Sequence, residues 1–254
     1  MTCISNTSLL APPTLEKSQG TSINLMAAAS LSVEIGPWHN MDGGDLIELF
    51  WDGCYAASRV LNAGDVGNTV SLRVPESFII SGSPRVHYRV MQVGRNPALS
   101  ASARFQVKLD CPGGHFTAGC GEENQYLLPV SFPDVISRRG VNPNQIKRGV
   151  PLTIAPYPNM AEGDEITLRW GDVRMDLPRV AQADVGHDIQ VWVPSAIIVE
   201  AGEDLRLDVS YCIIDRVGNN SRWAPSQTLK IGCVNPYLKV PLRQIPMAAE
   251  RKAK

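Results

Sequence analysis

The residues able to do chemistry are few and lie apart. Four histidines, His39, His87, His115 and His187, each fall in a different turn or strand-like stretch, and no Ser or Cys signature surrounds any of them. Acid–base or nucleophilic catalysis needs a base within hydrogen-bond reach of its partner inside a cleft. No spacing here gathers such a pair, so no catalytic residue is expected. The six cysteines are Cys3, Cys54, Cys111, Cys120, Cys212 and Cys233, and Cys111 and Cys120 bracket a Gly-rich segment, CPGGHFTAGC, around His115. The spacing C-x3-H-x4-C matches no zinc pattern; the pair reads as loop cysteines, able to close a local disulfide in oxidising conditions. Acidic residues cluster at Asp42 and Asp45, and again at Glu162, Asp164 and Glu165. Calcium wants several oxygen ligands from a fixed loop, and two acids per turn read instead as a solvated corner. No metal and no cofactor is expected.

Those corners belong to a stretch that occurs twice. Pro37 to Gly53 reads PWHNMDGGDLIELFWDG and Pro156 to Gly171 reads PYPNMAEGDEITLRWG; Met41 answers Met160, Asp45 answers Asp164 and Trp51 answers Trp170, each pair 119 residues apart. A period that long means two copies of a whole domain rather than a solenoid of small units. After the turn the pattern alternates. Ile166, Leu168 and Trp170 point one way and Thr167 and Arg169 the other, as a half-buried strand requires. In the first copy Ile47, Leu49 and Trp51 take the inward places and Glu48 the outer face, where Phe50 is expected as an exposed aromatic. Trp51 and Trp170 are read as core. His39 and His87 are answered by Pro158 and Ser210, so the second copy does without either.

Bulk properties narrow the class. The chain has 254 residues, a formal net charge of −1 and 44% hydrophobic content, enough for one or two domains that bury their own cores. Near-neutral charge without a Lys/Arg stripe leaves no footprint for nucleic acid or an anionic membrane, and no apolar run reaches the roughly 20 residues of a membrane span. The N-terminus lacks a charged start and a long apolar segment, so no Sec signal is expected, and export would need another route. Only Cys111 and Cys233 occupy corresponding places. Without a repeated framework disulfide, reduced thiols and cytoplasmic synthesis are expected.

The remaining segments read as short strands. Ser30 to Ile35 and Pro151 to Ile154 alternate; Arg59 to Gly67 and Arg179 to Gly186 share an Asp-Val-Gly turn. Val70, Leu72 and Val74 are answered by Ile189, Val191 and Val193, each run closed by a proline. Val86, Tyr88 and Val90 are answered by Val209, Tyr211 and Ile213, and Tyr211 to Asn219 is a strand falling into a Gly-Asn turn, a hairpin signal. Asn24 to Ser30 and Asn144 to Gly149 each suit one helical turn. About seven strands per copy with turn residues between them predict an all-β chain of two tandem immunoglobulin-like antiparallel β-sandwich domains. The expected boundaries are copy one at 1–110, a Gly-rich linker at 111–126, copy two at 127–233 and a tail at 234–254.

At PYPNMAEGDEITLRWG, ADVGHDIQVWVP and VSYCIIDRVGNNS the chain resembles the bacterial immunoglobulin-like repeats found in tandem in large Pseudomonas-type surface or secreted proteins of adhesin character. The resemblance spans nearly all of Leu127 to Gly232 and, with a degraded end, Leu31 to Leu109. It implies a non-catalytic binding or scaffold role, as an adhesin-like or partner-recognition module. The alternative is a carbohydrate-binding, lectin-like protein associated with a toxin or host interaction. The partner is then a protein or a glycan, with weak homo-oligomers compatible with either reading. Shared positions have folding reasons to recur, so recognition is expected on residues that differ between copies: Trp38 against Tyr157, Phe50 against Arg169, Trp192 against Arg73, and the Arg222-Trp223 turn. Trp192 and Trp223 break the alternation and are the leading contact candidates.

Overall fold

The computed structural model describes residues 9–16, 20–114 and 123–232. Expectations resting on Cys3, His115, Cys120, Cys233 and the tail lie outside them. Contacts divide the described chain into two units. The first runs to Cys111 and includes the Asp215–Asn219 turn; the second runs from Pro112 to Ile214 and resumes at Asn220.

In the first unit the elements are β1 (Thr14–Leu15), β2 (Ser22–Ile23), α1 (Leu25–Ala28), β3 (Ser32–Ile35), β4 (Leu46–Trp51), β5 (Cys54–Val60), β6 (Val70–Arg73), β7 (Arg85–Met91), β8 (Ala98–Leu99), β9 (Ala103–Arg104) and β10 (Gln106–Val107). One sheet has the order β1-β3-β6. The other runs β5-β4-β7-β8, with β9 also on β7, and both are antiparallel throughout. Chain order crosses from the first sheet to the second after β3, back at β6 and over again at β7, the alternation of an immunoglobulin-like sandwich. The core lies between them. Val33, Ile35, Val70 and Leu72 from one sheet meet Ile47, Leu49, Trp51, Val86, Tyr88 and Val90 from the other, the inward parity that the sequence predicts.

The second unit contains α2 (Asp134–Arg139), α3 (Pro143–Arg148), β11 (Val150–Ile154), β12 (Glu165–Trp170), β13 (Val173–Asp176), β14 (Ile189–Val193), α4 (Ser195–Ala201), β15 (Asp204–Ile214), β16 (Asn220–Trp223) and β17 (Gln227–Ile231). Its large sheet runs β13-β12-β15-β16 with β17 also on β15, and its small sheet pairs β11 with β14. The registers repeat those of the first unit: Leu49 faces Tyr88 and Leu168 faces Tyr211, while Val33 faces Leu72 and Leu152 faces Val191. Trp51 and Trp170 are both buried. Trp170 packs edge-on against Phe132, with ring centroids 6.1 Å apart.

Three expectations are corrected. The first concerns the acidic corners, which are not solvated at their repeated residue. Asp45 and Asp164 are buried. Asp164 Oδ2 accepts from Ala161 N at 3.0 Å and from the Tyr157 hydroxyl at 2.9 Å, and Asp45 Oδ2 accepts from Asp42 N at 3.1 Å and from Gln92 Nε2 at 2.8 Å. Each carboxylate closes its own turn and takes a second donor from elsewhere in its unit, which is how a buried charge is tolerated. The second concerns helices. The turn at α1 forms, capped by Asn24, and α3 forms with a capping box at Asn142 and Gln145, but α2 and α4 were not expected. The α4 sequence SAIIVEA is rich in β-branched residues. It is helical because Pro194 opens it, Gly202 ends it at φ +80° and Ile198 anchors it in the core, so tertiary burial overrides propensity. The third concerns Trp223, which is the last residue of strand β16 and not a turn residue.

Candidate binding face

The outer surface of each large sheet is where the two units part company. Outward positions on adjacent strands are neighbours whose side chains meet. In the first unit Phe50 on β4 faces Tyr55 on β5 and His87 on β7. The Phe50 and His87 rings are stacked, with centroids 5.1 Å apart and planes 8° apart. Tyr55 meets Phe50 edge-on at 6.3 Å, and the Arg89 guanidinium lies 5.5 Å from the same ring while pairing with Glu48. Tyr55 is 53% exposed. A shallow concavity of about 560 Å³ flanks this row, lined by Leu9, Asp52, Arg85, His87, Leu99 and Ser102.

The same registers in the second unit carry different chemistry. Phe50 is replaced by Arg169 and Tyr55 by Arg174, which face each other across β12 and β13. His87 gives way to Ser210, whose hydroxyl is turned to Ala224 O at 2.6 Å. Arg89 gives way to Cys212, and the partner facing it on the next strand changes from Leu99 to Trp223. The two guanidiniums lie 4.8 Å and 5.6 Å from the Trp223 ring centroid, a double cation–π arrangement. Burial pushes the Cys212 thiol above its ordinary value, and nearby Arg174 and Arg169 pull against that shift. Arg222, at φ +62°, stands where β16 departs from regular pairing, and its amide bonds Asn220 Oδ1 at 2.7 Å.

The expected contact residues thus separate. Phe50 and Trp223 lie on equivalent faces, with Arg222 beside the latter. Trp192 lies on the small sheet, 58% exposed, its indole donating to Arg148 O at 3.0 Å. It rims a separate apolar groove of about 730 Å³ with Met175, Leu177, Val191, Pro194 and Ile197. Trp38 is half-buried: it packs against the first core, and among the described residues its Nε1 has no partner. Its counterpart Tyr157 is buried and donates to Asp164. Tyr55, His87, Arg89 and Arg174 were not among the expected contact residues. Their outward parity and the 119-residue offset from Tyr55 to Arg174 were the available signals. Among the described residues, no group of three or more His, Cys, Asp or Glu could hold a metal ion, and no helix is long and apolar enough to cross a membrane.

The molecule is therefore a chain of two tandem immunoglobulin-like β-sandwiches with a repeated interior and a copy-specific outer sheet face. No protein-family model and no curated protein matches it. Among solved structures it is similar to a 1.5-MDa bacterial ice-binding adhesin, studied for host cell surface retention, at 16% identity over 88% of this chain and 65% of that one, with a TM-score of 0.39. It is also similar to the fibronectin(III)-like modules of Clostridium thermocellum CbhA, at 9% identity over 86% and 92% of the two chains, with a TM-score of 0.41. A third is the tetra-tandem repeat in the extending region of a large adhesion protein, at 14% identity over 86% and 49%, with a TM-score of 0.33. The chain spans less than two thirds of either adhesion-protein chain.

Proposed function

We propose that the chain is a non-catalytic recognition module, adhesin-like in role, that binds a partner through the outer faces of its large sheets. One observation supports this most: equivalent outward registers hold an aromatic row, Phe50-Tyr55-His87, in one unit and an Arg169-Trp223-Arg174 cluster in the other. A fold needing those side chains for stability would be expected to repeat them, as it repeats Trp51 and Trp170. A glycan ligand is the second reading, and the exposed Tyr55 beside stacked Phe50 and His87 favours it for the first unit, because a ring platform suits a sugar face.

The test is a binding screen of the whole chain against glycans and surface proteins, repeated with Phe50→Ser/Tyr55→Ser and with Trp223→Ala. The expected result is that at least one variant loses about 2 kcal/mol or more of binding while thermal unfolding stays nearly unchanged. Retention of full binding by both variants overturns the reading, as does turnover of a substrate that is lost in His87→Ala.

A further inference from the structure

The second unit pairs two arginines at a register that the first unit fills without charge. Arg169 and Arg174 are direct cross-strand partners, and like charges in that relation destabilise a sheet. Phe50 and Tyr55 fill the same register in the first unit as a neutral ring pair, so the sandwich closes without cations there. No described carboxylate pairs with either guanidinium.

Three of the acids nearby accept hydrogen bonds. Asp176 accepts from Thr167 Oγ1 at 2.7 Å and Asp208 from Thr228 Oγ1 at 3.1 Å, while Asp204 accepts from its own strand at Arg206 N at 2.8 Å. Asp172, Asp204 and Asp208 line the adjoining concavity of about 450 Å³ with Arg169, Arg174 and Arg206, and none of the three forms an ion pair with a described residue.

Trp223 decides what such a pair can take. With both guanidiniums within 6 Å of its ring, the indole surface is shared with the arginines, and a sugar ring stacking there would have to displace them. A guanidinium held against a ring keeps its in-plane N–H groups available, and that fork matches a planar carboxylate. Among the described residues the only side-chain hydrogen bond either arginine makes is a long one, Arg169 Nη2 to Ser226 Oγ at 3.4 Å. We propose that Arg169, Arg174 and Trp223 dock the carboxylates of an acidic segment of a protein partner. The inference rests on the recognition reading above and adds the chemistry of the occupant for this unit.

The experiment titrates the whole chain with a Glu-rich peptide by calorimetry at low and physiological salt, with a uronate oligosaccharide as the second ligand. The variant is Arg169→Phe/Arg174→Tyr, which installs the first unit's own residues and so suits the fold. Expected are peptide binding that weakens steeply with salt, a loss of about ten-fold or more in the variant, and an unchanged thermal midpoint. Failure of the peptide to bind, or equal binding by the variant, overturns the inference. Tighter, arginine-dependent binding of the uronate overturns it in favour of an acidic glycan. If the inference fails while Phe50→Ser/Tyr55→Ser abolishes binding of a screened partner, the recognition reading survives; both fall only if neither face affects any ligand.

Discussion

Raising the pH should unfold the second unit before the first, and the structure gives the size of the effect. Three tyrosines are buried in the cores, Tyr88 in the first unit and Tyr157 and Tyr211 in the second. Burial raises the phenol of each. For Tyr211 burial is the whole cause; for Tyr157 the Asp164 charge, its hydrogen bond and Tyr211 add to burial. A phenol raised in the fold stays protonated where the unfolded chain has released its proton. Stability from these groups is therefore intact below the ordinary value near ~10 and falls as pH rises past it. Each such tyrosine costs about 1.4 kcal/mol per pH unit. Tyr157 and Tyr211 together remove about 5 kcal/mol from the second unit by pH ~12, and Tyr88 adds a loss of the same sign to the first. A domain is stable by only about 5–15 kcal/mol, so this is a large share. During base titration the near-ultraviolet circular dichroism should be lost in one cooperative step, and the tyrosinate absorbance of the three buried tyrosines should appear in that same step. In Tyr157→Phe the pH dependence of the denaturant midpoint of the second unit should be about half as steep. Ionisation of all six tyrosines while the dichroism stays native would refute the reasoning, as would an unchanged slope in the variant.

Other perturbations follow from single contacts. Trp170→Ala should cost the second unit about 3–5 kcal/mol in urea unfolding, whereas Trp170→Phe should cost far less, because the buried indole Nε1 has no partner to lose. Gly149→Ala should destabilise that unit by about 1–3 kcal/mol: its φ is +94°, and an added Cβ would lie 2.7 Å from Val193 O and against the Trp192 indole. Thermal unfolding would show the loss, and an unchanged midpoint would mean the local backbone relaxes freely. Gln92→Leu should cost the first unit about 1–2 kcal/mol by taking a donor from buried Asp45; a shift below the error of the melt would show that solvent replaces it.

The strands and the core were legible in the sequence because both leave marks on a single chain. Alternation assigned Ile47, Leu49, Trp51 and their counterparts to the interior, and the fixed offset predicted two similar sandwiches. What was not legible depends on a neighbouring strand. Asp164 reads as one more acid in a polar corner until Tyr157 is seen to donate to it across the turn. Trp223 follows a Gly-Asn turn and three more polar residues, so its chain neighbours hide the strand that places it opposite Cys212. The Phe50–His87 stack and the Arg169–Arg174 pair join residues from different strands, and no periodicity within one strand reveals such a pair.

The pleat gives a physical reason why folding and recognition can diverge independently here. Along β4 and β12 the inward residues are Ile47, Leu49 and Trp51 against Ile166, Leu168 and Trp170, chemically the same in order. The outward residues between them are Glu48 and Phe50 against Thr167 and Arg169, with nothing in common. β7 and β15 repeat the contrast: Val86, Tyr88 and Val90 match Val209, Tyr211 and Ile213, while His87 and Arg89 stand against Ser210 and Cys212. An inward change leaves a cavity costing several kcal/mol, whereas surface substitutions usually stay within about 0.5 kcal/mol. Neighbouring residues on one strand therefore differ several-fold in what a substitution costs. A duplicated sandwich can then hold its interior fixed while one face becomes aromatic and the other cationic, which is the pattern of these two units.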